Sequence, residues 1–184
     1  GLGYVSLTQN STGSSNVGIG NSAMQLNQTG SSNTTLGNNS MKSSLSSSYN
    51  TAVGAEALFD ANRTADTDGY NTALGYNAGN TGTNDLTTGN KNTLLGASTA
   101  ASAAAGTNQT VIGFGASGTA DNSVTIGNSS VTAWYPGSDD TADLGSNSVE
   151  FKDLYIDGTA NLDAVDIDAG AIDGAAIGAN SAST

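Results

Sequence analysis

An aliphatic residue followed by glycine recurs eight times: Leu2-Gly3, Ile19-Gly20, Leu36-Gly37, Val53-Gly54, Leu74-Gly75, Leu95-Gly96, Ile112-Gly113 and Ile126-Gly127. The glycines are spaced by 17, 17, 17, 21, 21, 17 and 14 residues, so two units carry a four-residue insertion. The flanking positions repeat as well. Asn stands four residues before the glycine in five copies, Asn16, Asn33, Asn50, Asn71 and Asn92. Val or Thr stands three before it in seven, from Val17 and Thr34 to Thr110 and Val124. Three residues after it the side chain is always small: Ser6, Ala23, Ser40, Ala57, Ala78, Thr99, Ala116 and Ser130. A fixed short period is the mark of stacked units, none of which buries its own apolar face alone.

Thr or Val, a free position and an aliphatic make a three- to four-residue strand of period 2. The glycine ends it, where the chain turns or another backbone comes close. The small residue at +3 suits a crowded inner position, and the variable Gly/Asn/Ser stretch supplies turns that tolerate insertion. Helical repeats are about twice this length, and Gly, Asn and Thr are poor helix formers. The remaining architecture is a parallel β-solenoid or β-roll with one coil per unit, eight coils making a rod of roughly 38 Å. Each unit offers two or three aliphatics, worth about 1.5–3 kcal/mol apiece when fully buried. Ordering a 17-residue coil costs on the order of 25 kcal/mol, so the margin is thin. The aliphatic row is therefore expected to face other chains in an obligate oligomer.

Composition narrows the function. Few aromatics and many small polar residues would suggest disorder, were the sparse aliphatics not periodic. The 184 residues include no Cys and no His. That excludes a thiol nucleophile, an imidazole base, disulfides and the usual zinc sites, and leaves the redox compartment unread. Four basic against sixteen acidic residues give a net charge of −12, the wrong sign for nucleic acid. No apolar run approaches the roughly 20 residues that span a bilayer, and no signal peptide is expected. A chain opening on Gly1 reads as processed or as a fragment.

The stretches NVGIGNSA (16–23), NTAVGAEAL (50–58), NTALGYNAG (71–79) and SVTIGNSSV (123–131) resemble the YadA-like head repeats of trimeric autotransporter adhesins, relatives of which occur in bacteriophage tail fibres. The resemblance covers residues 1 to about 133. It implies a left-handed parallel β-roll, three chains to a fibre, with Leu2, Ile19, Leu36, Val53, Leu74, Leu95, Ile112 and Ile126 in the core and Gly3, Gly20, Gly37, Gly54, Gly75, Gly96, Gly113 and Gly127 as repeat turns. The 17- and 21-residue spacings exceed the compact 14-residue spacing between Gly113 and Gly127, which leaves the outer loops open.

Composition shifts after Trp134-Tyr135-Pro136, the site of the only Trp and the only Pro. Residues 137–184 hold ten acidic residues against Lys152, net −9, whereas residues 1–136 hold six against three, net −3. The aromatic pair is expected to plug the end of the roll, with a sugar-stacking platform as the alternative. DLGSNSVEFKDLYIDG (143–158) resembles a connector segment of phage tail fibres. In that reading Leu144, Phe151, Leu154 and Ile156 are apolar contacts, and Gly145 and Gly158 are turns. Leu162, Ile167, Ile172 and Ile177 then keep a five-residue beat that resembles pentapeptide repeats. Four units make about one coil, which must stack on sister chains or on the preceding segment; an intertwined triple-stranded stem is the other reading.

Carboxylates are the only candidate catalytic groups. Asp139, Asp140 and Asp143 with Glu150 could form a glycosidase pair in a polysaccharide-degrading tailspike, but acids in a repetitive solvated segment are more often solubilising. Asp66-Thr-Asp68 and Asp166-Ile-Asp168 do not fit a calcium loop, though a trimer could place such acids around an axial cation. No catalytic residue, metal site or cofactor is expected.

The expected architecture is all-β: a head-repeat β-roll over 1–133, a connector over 134–159 and a pentapeptide-like stem over 160–184 with core Leu162, Ile167, Ile172 and Ile177. The expected role is a non-enzymatic, homotrimeric structural and adhesive fibre of a phage virion, binding other fibre or baseplate proteins and a host surface glycan or protein, without nucleic acid or membrane insertion. Phe59, Arg63, Tyr70 and Lys91 in the long stretches 58–70 and 79–91, with Trp134 and Tyr135, are the candidate receptor contacts. A bacterial surface adhesin and a tailspike depolymerase are the alternatives.

Overall fold

A computed structural model describes residues 1–62, 68–137, 143–146 and 148–160. Arg63, Asp66, Asp139, Asp140, Asp166, Asp168 and the expected stem core, Leu162, Ile167, Ile172 and Ile177, lie outside the described residues. The chain divides into two units, Gly1–Trp134 and Tyr135–Thr184.

The first unit is a parallel β-solenoid. Seven three-residue strands, β1 (Val17–Ile19), β2 (Thr34–Leu36), β3 (Thr51–Val53), β4 (Thr72–Leu74), β5 (Thr93–Leu95), β6 (Thr110–Ile112) and β7 (Val124–Ile126), form one sheet in chain order. The described residues contain no helix. Register follows the repeat: Val17 pairs with Thr34, then Thr51, Thr72, Thr93, Thr110 and Val124. The four-residue insertions leave it untouched, because they are taken up in the loops after β3 and β4. Among the described residues there are seven strands rather than eight. In the first copy Leu2 pairs with Ile19 as an isolated parallel bridge.

Pairing continues around the coil beyond the strands. The residue two after each glycine donates to the equivalent turn below it, as in Ser22 N–H to Tyr4 O at 2.9 Å and Glu56 N–H to Asn38 O at 2.8 Å. The residue five before the glycine does the same in several coils, as in Tyr49 N–H to Ser31 O at 3.0 Å and Lys91 N–H to Gly69 O at 2.8 Å, while in the coil between them Gly69 N–H donates to Ser48 O at 2.8 Å. Both positions are left-handed in almost every coil, with φ from 48 to 61° at Ser22, Glu56, Gly115, Tyr49, Tyr70 and Lys91. Such a conformation costs a non-glycine residue about 1 kcal/mol. It bends the chain tightly enough that even turn amides meet their counterparts one coil away. This backbone ladder offsets the thin apolar margin of each coil.

The glycines that close the strands are needed for contact between coils. Gly20, Gly37, Gly54, Gly75 and Gly96 have φ from 131 to 148°, and a Cβ on any of them would overlap backbone of the next glycine in the stack.

The interior is narrow. Each strand turns only its middle residue inward, so Gly18, Ala52, Ala73, Leu94 and Val111 line it. The small +3 residues Ala23, Ser40, Ala57, Ala78, Thr99 and Ala116 are fully buried beside them, as the crowded inner position requires. Met24, Met41 and Leu58, four after the glycine, fill the coils where the strand offers a small residue. At the next coil that place falls to Gly79, and bulk passes to Leu86, Leu94 and Val111. A Cβ on Gly79 would approach Leu58 to 2.8 Å and Leu94 to 3.1 Å.

The described part of the second unit holds one antiparallel bridge, Ser146 to Val149, next to Gly145 at φ 89°.

Candidate interaction face

The eight aliphatics do not fill the coil. Ile19, Leu36, Leu74, Leu95 and Ile126 are 38–49% exposed, Leu2 is more exposed still, and Val53 and Ile112 are half-buried. The reason is the period of the strand. With the middle residue inward, the positions one and three before the glycine both point out. They form two parallel rows, the aliphatics and the Val/Thr series Val17, Thr34, Thr51, Thr72, Thr93, Thr110 and Val124. The aliphatic row faces away from its own coil. Tyr4, Tyr76 and Phe114, each directly after a glycine, flank it and are exposed. Neither strand row contains a charged residue.

Behind this face runs a buried polar ladder. Asn33 donates from its backbone N–H and Nδ2 to Asn16 Oδ1 at 3.0 and 3.1 Å. Asn50 donates likewise to Asn33, Asn71 to Asn50 and Asn92 to Asn71, all at 2.9–3.1 Å. The second amide hydrogen of Asn71 reaches Gly89 O at 3.0 Å and that of Asn92 reaches Gly106 O at 2.7 Å. The ladder residues Asn33, Asn50, Asn71 and Asn92 are each at least 98% buried. The side chain is required at this place because it both accepts and donates, so every coil satisfies the next. Gln109 ends the ladder, its N–H on Asn92 Oδ1 at 3.0 Å and its Nε2 on Asp121 at 2.9 Å. That carboxylate also accepts Thr107 N–H at 2.8 Å. The Thr107 bond first and the Gln109 bond second hold its pKa below the ordinary carboxylate value, against a smaller opposing effect of burial.

The candidate receptor residues do not converge. Tyr70 and Lys91 occupy the same position in consecutive coils, and Tyr49 stands one coil before Tyr70. Phe59 is half-buried elsewhere on the coil with Lys42 Nζ 5.8 Å above its ring. Trp134 is not a plug: it is 78% exposed, and Tyr135 is equally open. In the second unit Leu144, Phe151, Leu154 and Ile156 are all more than half exposed. An open hollow of about 500 Å³ there is lined by Asp143, Glu150, Phe151 and Leu154, none of them buried. Asp68 accepts a hydrogen bond from the Tyr70 hydroxyl at 2.8 Å.

Comparison with protein-family models, curated proteins and solved structures gives no match.

Proposed function

We propose that the chain is a structural and adhesive fibre segment in which three copies pack their aliphatic faces together. The observation that carries this reading is the outward row Ile19, Leu36, Leu74, Leu95 and Ile126, in register along the sheet and left 38–49% exposed by one chain. A contiguous exposed apolar patch marks an interaction surface. Its repeat follows the strand spacing of about 4.8 Å. A second copy of this chain carries the same period and matches the face along its whole length. The uncharged strand rows suit such contact in a chain of net charge −12, because like charges are kept off the joint.

The repeats and the segment 143–158, similar to those of phage tail fibres, support a place in a virion fibre that contacts the host surface. The exposed apolar residues of 143–156 fit a connector completed by sister chains. Exposed Tyr70, Lys91, Trp134 and Tyr135 remain the residues offered for attachment. The deciding measurement is native mass by light scattering after size exclusion. Three chains of 18.0 kDa give about 54 kDa. A folded species near 18.0 kDa at all concentrations overturns the proposal. Binding of the trimer to intact bacteria, lost when Tyr70 or Trp134 is replaced by Ala, then tests attachment.

A further inference from the structure

One pair of side chains away from the aliphatic face is arranged for chemistry that neither the fold nor a fibre role requires. Tyr49 and Tyr70 stand five residues before Gly54 and Gly75, at equivalent places in consecutive coils. Both backbones are left-handed, φ 60 and 48°, so the two rings leave the coil in the same direction. They stack with centroids 5.1 Å apart and planes 14° from parallel. Both are about half exposed, at 47 and 50%, and therefore open to a small oxidant. The Tyr70 hydroxyl donates to the Asp68 carboxylate at 2.8 Å, which places a proton acceptor on the phenol.

We propose that Tyr49 and Tyr70 form an oxidative cross-linking site, coupled into an intrachain dityrosine by a peroxide-dependent one-electron oxidant. Each phenol loses one electron and its hydroxyl proton, the proton of Tyr70 passing to Asp68. The two neutral radicals join through ring carbons ortho to oxygen. The hydrogens on those carbons return to the oxygens as aromaticity recovers. The pair has then lost two hydrogen atoms, and one hydrogen peroxide has become two waters. The stack supplies what this coupling lacks between free tyrosines: two rings already aligned, so the second radical need not be met by diffusion. The bond would close the chain around the first coil that carries an insertion. A covalent closure restricts the unfolded chain more than the folded one, so the product should unfold at a higher temperature. Because the link lies within one chain, the inference does not rest on trimer formation.

The test is treatment of the full chain with peroxidase and hydrogen peroxide, followed by intact mass, dityrosine fluorescence and peptide mapping. The expected product is a single chain lighter by two hydrogens, with a peptide joining residues 49 and 70. Tyr49→Phe and Tyr70→Phe keep the ring and the stack, and each should lower that product about tenfold or more. Tyr76→Phe, at an exposed tyrosine outside the stack, should leave it unchanged. Asp68→Asn should slow its formation severalfold while circular dichroism stays the same. Undiminished intrachain product in Tyr49→Phe, links only between chains, or no product under conditions that cross-link a tyrosine peptide would each overturn the proposal.

Discussion

Leu94 and Leu95 are neighbours in β5 and meet opposite surroundings. Leu94 is fully buried, whereas Leu95 is 41% exposed. The same contrast runs through the solenoid. A three-residue strand sends one side chain inward and two outward, so the interior takes a minority of the apolar content. One chain therefore completes its inside with Met24, Met41, Leu58, Leu86, Leu94 and Val111, and with an asparagine ladder. Its outside remains apolar. The inner surface is completed within one chain; the outer one is left exposed by it, and that is the face the proposed trimer would cover.

Breaking the inner surface should have the largest effects. In Gly54→Ala the new Cβ overlaps the Gly75 carbonyl oxygen and lies 2.6 Å from its carbon, at φ 135°, where only glycine is at ease. The change should destabilise by about 4 kcal/mol or more, read by urea unfolding. A loss below about 1 kcal/mol would mean that the coils are not held this close. Asn71→Ala comes next. It strips the acceptor from Asn92 N–H and Nδ2 and the donor from Gly89 O, all buried. Unsatisfied buried groups cost about 1–3 kcal/mol each, so about 3 kcal/mol is expected in the same assay. Asn71→Asp should be no better, because a carboxylate cannot donate to Asn50.

The two leucines sharpen the contrast within one strand. Leu94→Ala opens the interior and should cost about 2–4 kcal/mol. If the proposed trimer holds, Leu95→Asp should retain the β-sheet circular dichroism of the solenoid, yet lower the native mass from three chains toward one. Equal unfolding penalties and an unchanged mass in both variants would erase the distinction between inner and outer surfaces.

The strands, their register and the closing glycines were legible in the sequence, because Thr34-x-Leu36-Gly37 and its copies repeat at fixed places. The buried +3 residues were legible for the same reason. What fills the coil was not. Met24, Met41 and Leu58 share the +4 position, but the repeat reading did not single it out, because their inward direction depends on left-handed φ at 49, 47 and 49°, which non-glycine side chains rarely announce. Asn at −4 was visible in five copies, yet its role appears only when consecutive coils stack and one amide faces the next. The Tyr49–Tyr70 stack was hidden by the insertion, which sets the two residues 21 apart among 17-residue units. The Trp134 plug failed because a lone aromatic at a junction carries no direction: it is exposed.

The smallest effect tests where the inner ladder ends. Asp121 accepts Thr107 N–H at 2.8 Å and Gln109 Nε2 at 2.9 Å, and these bonds favour its ionised form in the fold. A carboxylate whose folded pKa is depressed adds stability above its unfolded pKa. That contribution disappears as pH falls through the lower, folded value. The unit should therefore lose part of its stability on acidification through and below the ordinary carboxylate range. Asp121→Asn keeps an oxygen for Thr107 and Gln109 but cannot titrate, so its thermal midpoint should fall less over that interval. The difference should be small, because the carboxylate is exposed and water competes for it. Equal acid losses in the two proteins would assign the titration to other carboxylates and leave the end of the ladder held by neutral hydrogen bonds, like the rungs below it.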